Sequence, residues 1–77
     1  MRNTFVDANL LVWEVFPSGG DFGFPQDPQI VFNCLSNRML RPRFVKHQGD
    51  EAEAARFVQN ASTQQLRTLF ETSSELD

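Results

Sequence analysis

The sequence has one cysteine, one histidine, one tryptophan and no tyrosine in 77 residues. A single cysteine, Cys34, excludes an internal disulfide. Small secreted domains usually carry such cross-links, so the composition predicts a reducing, cytoplasmic setting. One histidine and one cysteine cannot assemble a usual zinc site within one chain, and no metal or other cofactor is expected. Long apolar runs are missing as well: Asp7 and Asn9 interrupt the first, and no small-residue cleavage site follows it. That pattern predicts neither a secretory leader nor a membrane span. Excess positive charge is also lacking. The formal net charge is −3, which argues against a general affinity for nucleic acid or anionic membrane.

What is abundant is phenylalanine, with eight residues, so aromatic rings are expected to supply much of the core volume. A hydrophobic share of 40% and a charged share of 22% are those of an ordinary globular chain. The length allows one domain over 1–77 with a small core, to which self-association would add stability.

The first half reads as strands. "NLLVWEVF" (9–16) sets Leu11, Trp13 and Val15 against Leu10, Val12 and Glu14, so both faces carry apolar residues. "TFVD" (4–7) begins this strand, over about 4–16, or forms a fourth one before a turn at Asp7–Asn9. A long Gly/Pro-rich loop follows over 17–28, then strands over 29–35 and 40–47. Pro42 marks the third strand as an edge or a bulge. A three-residue loop Asn37–Arg38–Met39 would set Cys34 opposite Pro42 and Phe32 opposite Phe44. Ile30, Phe32, Cys34, Leu40 and Phe44 would then share one face, and Val31, Asn33, Arg41, Arg43, Val45 and His47 the other. That register is preferred because it segregates apolar side chains from arginines.

The second half reads as helix. Asp50 with Glu53, and Ser62 with Gln65, are capping-box spacings. Ala54, Phe57, Val58 and Ala61 form one apolar stripe, and Leu66, Leu69 and Phe70 the next. Helices are predicted over about 51–60 and 63–74, with a fraying tail. One continuous helix remains open, because no Gly or Pro interrupts it. The fold class expected is α+β: a three- or four-stranded antiparallel meander with two short C-terminal helices on one face.

Scattered stretches carry a resemblance. Phe5–Asp7, Trp13–Val15, Val31–Phe32 with Ser36, Arg38 to Arg43, and Ser62 to Leu69 are similar to the segments of a type of small bacterial protein to which no activity is attached. Such proteins often have a tight glycine turn before the Trp, where this chain has "ANLL". The resemblance implies this order of elements and brings no chemistry with it.

The candidates for chemistry are few. "SGGDFGFP" (18–25) lacks the Lys and Ser/Thr of a phosphate loop and runs into a strand. "GDFGFPQDPQIVFNCLS" resembles the base-stacking strands of the cold-shock domain, with Phe22, Phe24 and Phe32 at aromatic positions. It departs from them at Gly20, Asp21 and Cys34, and the helical second half does not suit a five-stranded barrel. Cys34 and His47, the only nucleophile–base pair, fall on opposite faces in the preferred register and roughly 16–17 Å apart. No catalytic residue is expected. The candidate interaction surface comprises Arg41, Arg43, Lys46 and His47 on the third strand, with Phe22 and Phe24 from the loop. The leading expectation is a non-enzymatic protein-interaction or self-associating domain. The alternative is a nucleic-acid-binding module using the Arg38–Lys46 strand and the Phe22/Phe24 loop.

Overall fold

The computed structural model describes residues 2–18, 28–47 and 49–75. Five strands are present among them: β1 (Asn3–Val6), β2 (Val12–Ser18), β3 (Gln29–Cys34), β4 (Arg43–Lys46) and β5 (Ser74–Glu75). They form one antiparallel sheet in chain order, with helices α1 (Glu51–Asn60) and α2 (Thr63–Glu71) inserted before β5. The architecture is α+β, with more strands than the three or four expected.

The fourth strand, expected as the alternative to one strand over about 4–16, arises because the chain turns sharply at Asp7. Asp7 and Leu11 close a three-residue hairpin loop: the Asp7 N–H donates to the Leu11 carbonyl at 2.9 Å, and the Leu10 N–H donates to the Asp7 carbonyl at 3.0 Å. One strand over about 4–16 is thereby split in two. The one strand beyond that expectation is made by the tail. Where the sequence predicts helix to 74, α2 stops at Glu71. The chain then reverses, so that Glu75 pairs with Arg43 and Ser74 with Phe44.

The β3–β4 register differs by one residue from the expectation. Phe32 pairs with Arg43, Val31 with Phe44 and Ile30 with Val45. Arg43 and Val45 therefore share the face of Ile30, Phe32 and Cys34, while Phe44 and Lys46 share the other with Val31. The strand begins at Arg43 instead of Leu40, and Leu40 lies in a turn closed by its N–H on the Asn37 carbonyl. Charge segregation misled the sequence argument because Arg43 can sit on the core face at no cost in unpaired charge. Its guanidinium lies over the Phe70 ring, 5.4 Å from the centroid, and donates to the Ser73 hydroxyl at 2.7 Å and the Ser73 carbonyl at 2.6 Å.

The core lies between this face and the helices. Phe5, Trp13, Val15, Ile30, Phe32 and Cys34 meet Val58 of α1 and Leu66 of α2, with Phe57, Leu69 and Phe70 packed against them. Phe70 is the hub of the rings, with centroids 4.7 Å from Trp13, 5.3 Å from Phe32 and 5.6 Å from Phe5. The helices are separate. Ser62 accepts from the Gln65 N–H, and the Gln65 side chain accepts from the Ser62 N–H, a reciprocal cap that starts α2 afresh. Asn3 anchors β1 to the end of α1 by donating to the Val58 and Ala61 carbonyls, which the helix terminus leaves without partners. The opposite sheet face carries Val6, Val12, Phe16, Val31 and Phe44, and both helices lie on the other side.

The loop expected over 17–28 begins later, because β2 extends through Pro17 and Ser18, which pair with Ile30 and Gln29. The remainder, residues 19–27, lies outside the described residues.

Candidate interaction surface at the turn end of the sheet

A meander brings alternate turns to the same end of its sheet. Here the β1–β2 and β3–β4 turns lie side by side, because the Leu35 N–H donates to the Val12 carbonyl and the Ser36 hydroxyl accepts from the Val12 N–H, both at 2.9 Å. Four large apolar side chains stand exposed there: Leu10, Leu35, Met39 and Leu40. Below them a groove of about 200 Å³ runs between the turns and α2, with Leu11, Trp13, Leu40 and Phe70 as its apolar lining and Arg41, Arg43, Asp7 and Glu75 as its polar one.

Asp7 holds the β1–β2 turn together. One carboxylate oxygen accepts from the Asn9 and Leu11 N–H groups at 2.8 and 2.9 Å, and the other from the Trp13 indole N–H at 2.8 Å. Burial raises the Asp7 pKa. The bonds from Leu11, Trp13 and Asn9, together with the nearby Arg67 charge, outweigh it and hold the carboxyl below its ordinary value. A carboxylate so occupied is a structural anchor for the turn and for Trp13, with no spare basicity for acid–base work.

The turn that Asp7 builds imposes a positive φ of 65° on Leu10. A three-residue hairpin loop ending in a left-handed residue normally takes glycine at that place. Leucine there costs about 1–2 kcal/mol of backbone strain. Packing does not offset this, because the Leu10 side chain is 81% exposed.

The residues expected to form one basic surface are dispersed. Arg41 is exposed on the groove rim. Arg43 is engaged with Ser73 and Phe70 and lies 3.9 Å from Glu75. Lys46 points from the opposite face. His47 is half-buried at the far end of the strand, where its N–H donates to the Pro28 carbonyl and its ring lies 5.8 Å from Phe57. Phe22 and Phe24 lie outside the described residues. Cys34 and His47 share a face, contrary to expectation. They remain six residues apart along β3, about 20 Å at strand rise, and Cys34 is buried.

Sequence reasoning marked Leu10 as part of a second apolar strand face but did not bring it together with Leu35, Met39 and Leu40, and it missed Asp7 as the anchor of the Leu10 turn. The one available signal was "ANLL" in place of a glycine turn. Among the described residues no group of three or more His, Cys, Asp or Glu is placed to hold a metal ion, and no helix is long and apolar enough to cross a membrane. A second hollow, of about 360 Å³, lies along α2 between Phe57 and Leu69 and has no titratable side chain in its lining.

Fold and surface together define a small α+β domain with an apolar, turn-built end. No family model, curated protein or solved structure matches the chain.

Proposed function

We propose that this chain is a non-enzymatic protein-interaction domain of the cytoplasm, and that the turn end of the sheet is its contact surface. The observation that carries the reading is Leu10. A large apolar side chain is kept in a strained backbone position without burial, so its value lies outside the folded chain's own stability. Leu35, Met39 and Leu40 extend the same surface. A groove of about 200 Å³ is smaller than the roughly 300–1,000 Å³ of small-molecule sites, and suits a partner's side chain better than a metabolite. The dispersal of Arg41, Arg43 and Lys46, with Glu75 beside Arg43, favours this reading over nucleic-acid binding.

Stability measurements test it. Leu10→Gly relieves about 1–2 kcal/mol of strain and gives back about 0.5–1 kcal/mol in the freedom of the unfolded chain. The net gain of about 0–1.5 kcal/mol should leave the variant melting no lower than the parent and up to about 12 °C higher. Met39→Ser should change stability by no more than about 0.5 kcal/mol. If both variants are clearly less stable than the parent, these side chains serve the fold and the reading fails. Single-stranded DNA and RNA at low salt should bind no tighter than about 100 μM. Sub-micromolar affinity dependent on Arg41 and Arg43 would replace this reading with the nucleic-acid one.

A further inference from the structure

Building on that surface, we infer that its partner is an acidic protein segment carrying an apolar anchor residue. The groove supplies the anchor's seat, since Leu11, Trp13, Leu40 and Phe70 form an apolar lining. The charges around it select the flanking residues. Asp7 is occupied by three hydrogen bonds, and Arg43 and Glu75 face each other at 3.9 Å. That leaves Arg38 and Arg41, both exposed, with no acid within ion-pair distance among the described residues. They bracket Met39 and Leu40 in sequence. Arg41 on the rim of the apolar seat and Arg38 in the adjoining turn, neither paired with an acid among the described residues, are complementary to carboxylates flanking a leucine or an aromatic residue. Guanidinium forks bind carboxylates in bidentate geometry and so add direction as well as attraction. Phosphates would gain nothing from the four apolar side chains, which is why a protein segment fits better than RNA.

The experiment is a selection followed by variants. A phage-displayed library of random dodecamers is panned on the full chain, and a recovered peptide is synthesised and titrated while Trp13 fluorescence is followed. The expected peptides carry Leu, Phe or Trp flanked by Asp and Glu. Their affinity should fall about tenfold or more in Leu10→Gly, whose fold is retained, and by a similar factor in the Arg38→Glu/Arg41→Glu double variant. It should also weaken at high salt, because exposed charges are screened. Selected peptides without acids, sensitive to Leu10→Gly but not to the double variant, would overturn the acidic partner and leave the contact surface standing. Peptides indifferent to Leu10→Gly, Met39→Ser and Leu40→Ser would overturn the contact surface itself. A dimer in sedimentation that Leu10→Gly disrupts would make a second copy the occupant and refute the inference, as would arginine-dependent sub-micromolar RNA binding.

Discussion

Asp7→Asn is the most informative single change to the fold. Asparagine keeps one carbonyl oxygen, which can still serve the Asn9 and Leu11 N–H groups. Its amide nitrogen then faces the Trp13 indole N–H, donor against donor. Trp13 is 3% exposed, so water cannot readily replace the lost acceptor. An orphaned buried donor costs about 1–3 kcal/mol, and the two backbone bonds lose their charge assistance, for a total of about 2–4 kcal/mol. A chain of this length is stable by only about 4–12 kcal/mol. The melting temperature should therefore drop by about 10–25 °C. Circular dichroism reports the helices, and Trp13 emission reports the indole's surroundings in the same melt. Both should shift together if unfolding is two-state. If Asp7→Asn melts within about 3 °C of the parent, the carboxylate does not organise the β1–β2 turn. The derivation of the Leu10 conformation would fall with it.

Acid provides a second test of the same group. The folded pKa of Asp7 is lowered, so its contribution is present above the unfolded value of about 4 and is lost as pH falls through the folded one. Parent stability should fall more steeply than that of Asp7→Asn below about pH 5, and parallel curves would contradict this. Phe32→Ala removes a fully buried ring and should cost about 3–5 kcal/mol, enough to unfold much of the chain; a melt within a degree or two of the parent would refute the core assignment. Ser62→Ala breaks the reciprocal cap of α2 and should cost about 0.5–2 kcal/mol in a urea titration. Cys34 is buried and should resist thiol reagents under native conditions while reacting promptly in denaturant, so fast native labelling would place it outside the core.

Local signals were sufficient wherever a few neighbouring residues decide the conformation. The two helix starts are written in Asp50 with Glu53 and Ser62 with Gln65, since a cap involves a side chain and a backbone N–H three residues on. The stripe of Ala54, Val58 and Leu66 and the alternation of Trp13 with Val15 point to the core because periodicity marks which side is apolar. Other features depend on residues far apart in the chain. Arg43 takes the core face only because Phe70 and Ser73 arrive thirty or so residues later to receive it, so local charge segregation chose the wrong register. Ser74 and Glu75 become a strand only because β4 leaves an edge to pair with. At Leu10 the sequence showed that a glycine was missing. The tertiary structure decided that the backbone there is left-handed and the side chain exposed, because Asp7 closes the turn from one side and Trp13 holds Asp7 from the other.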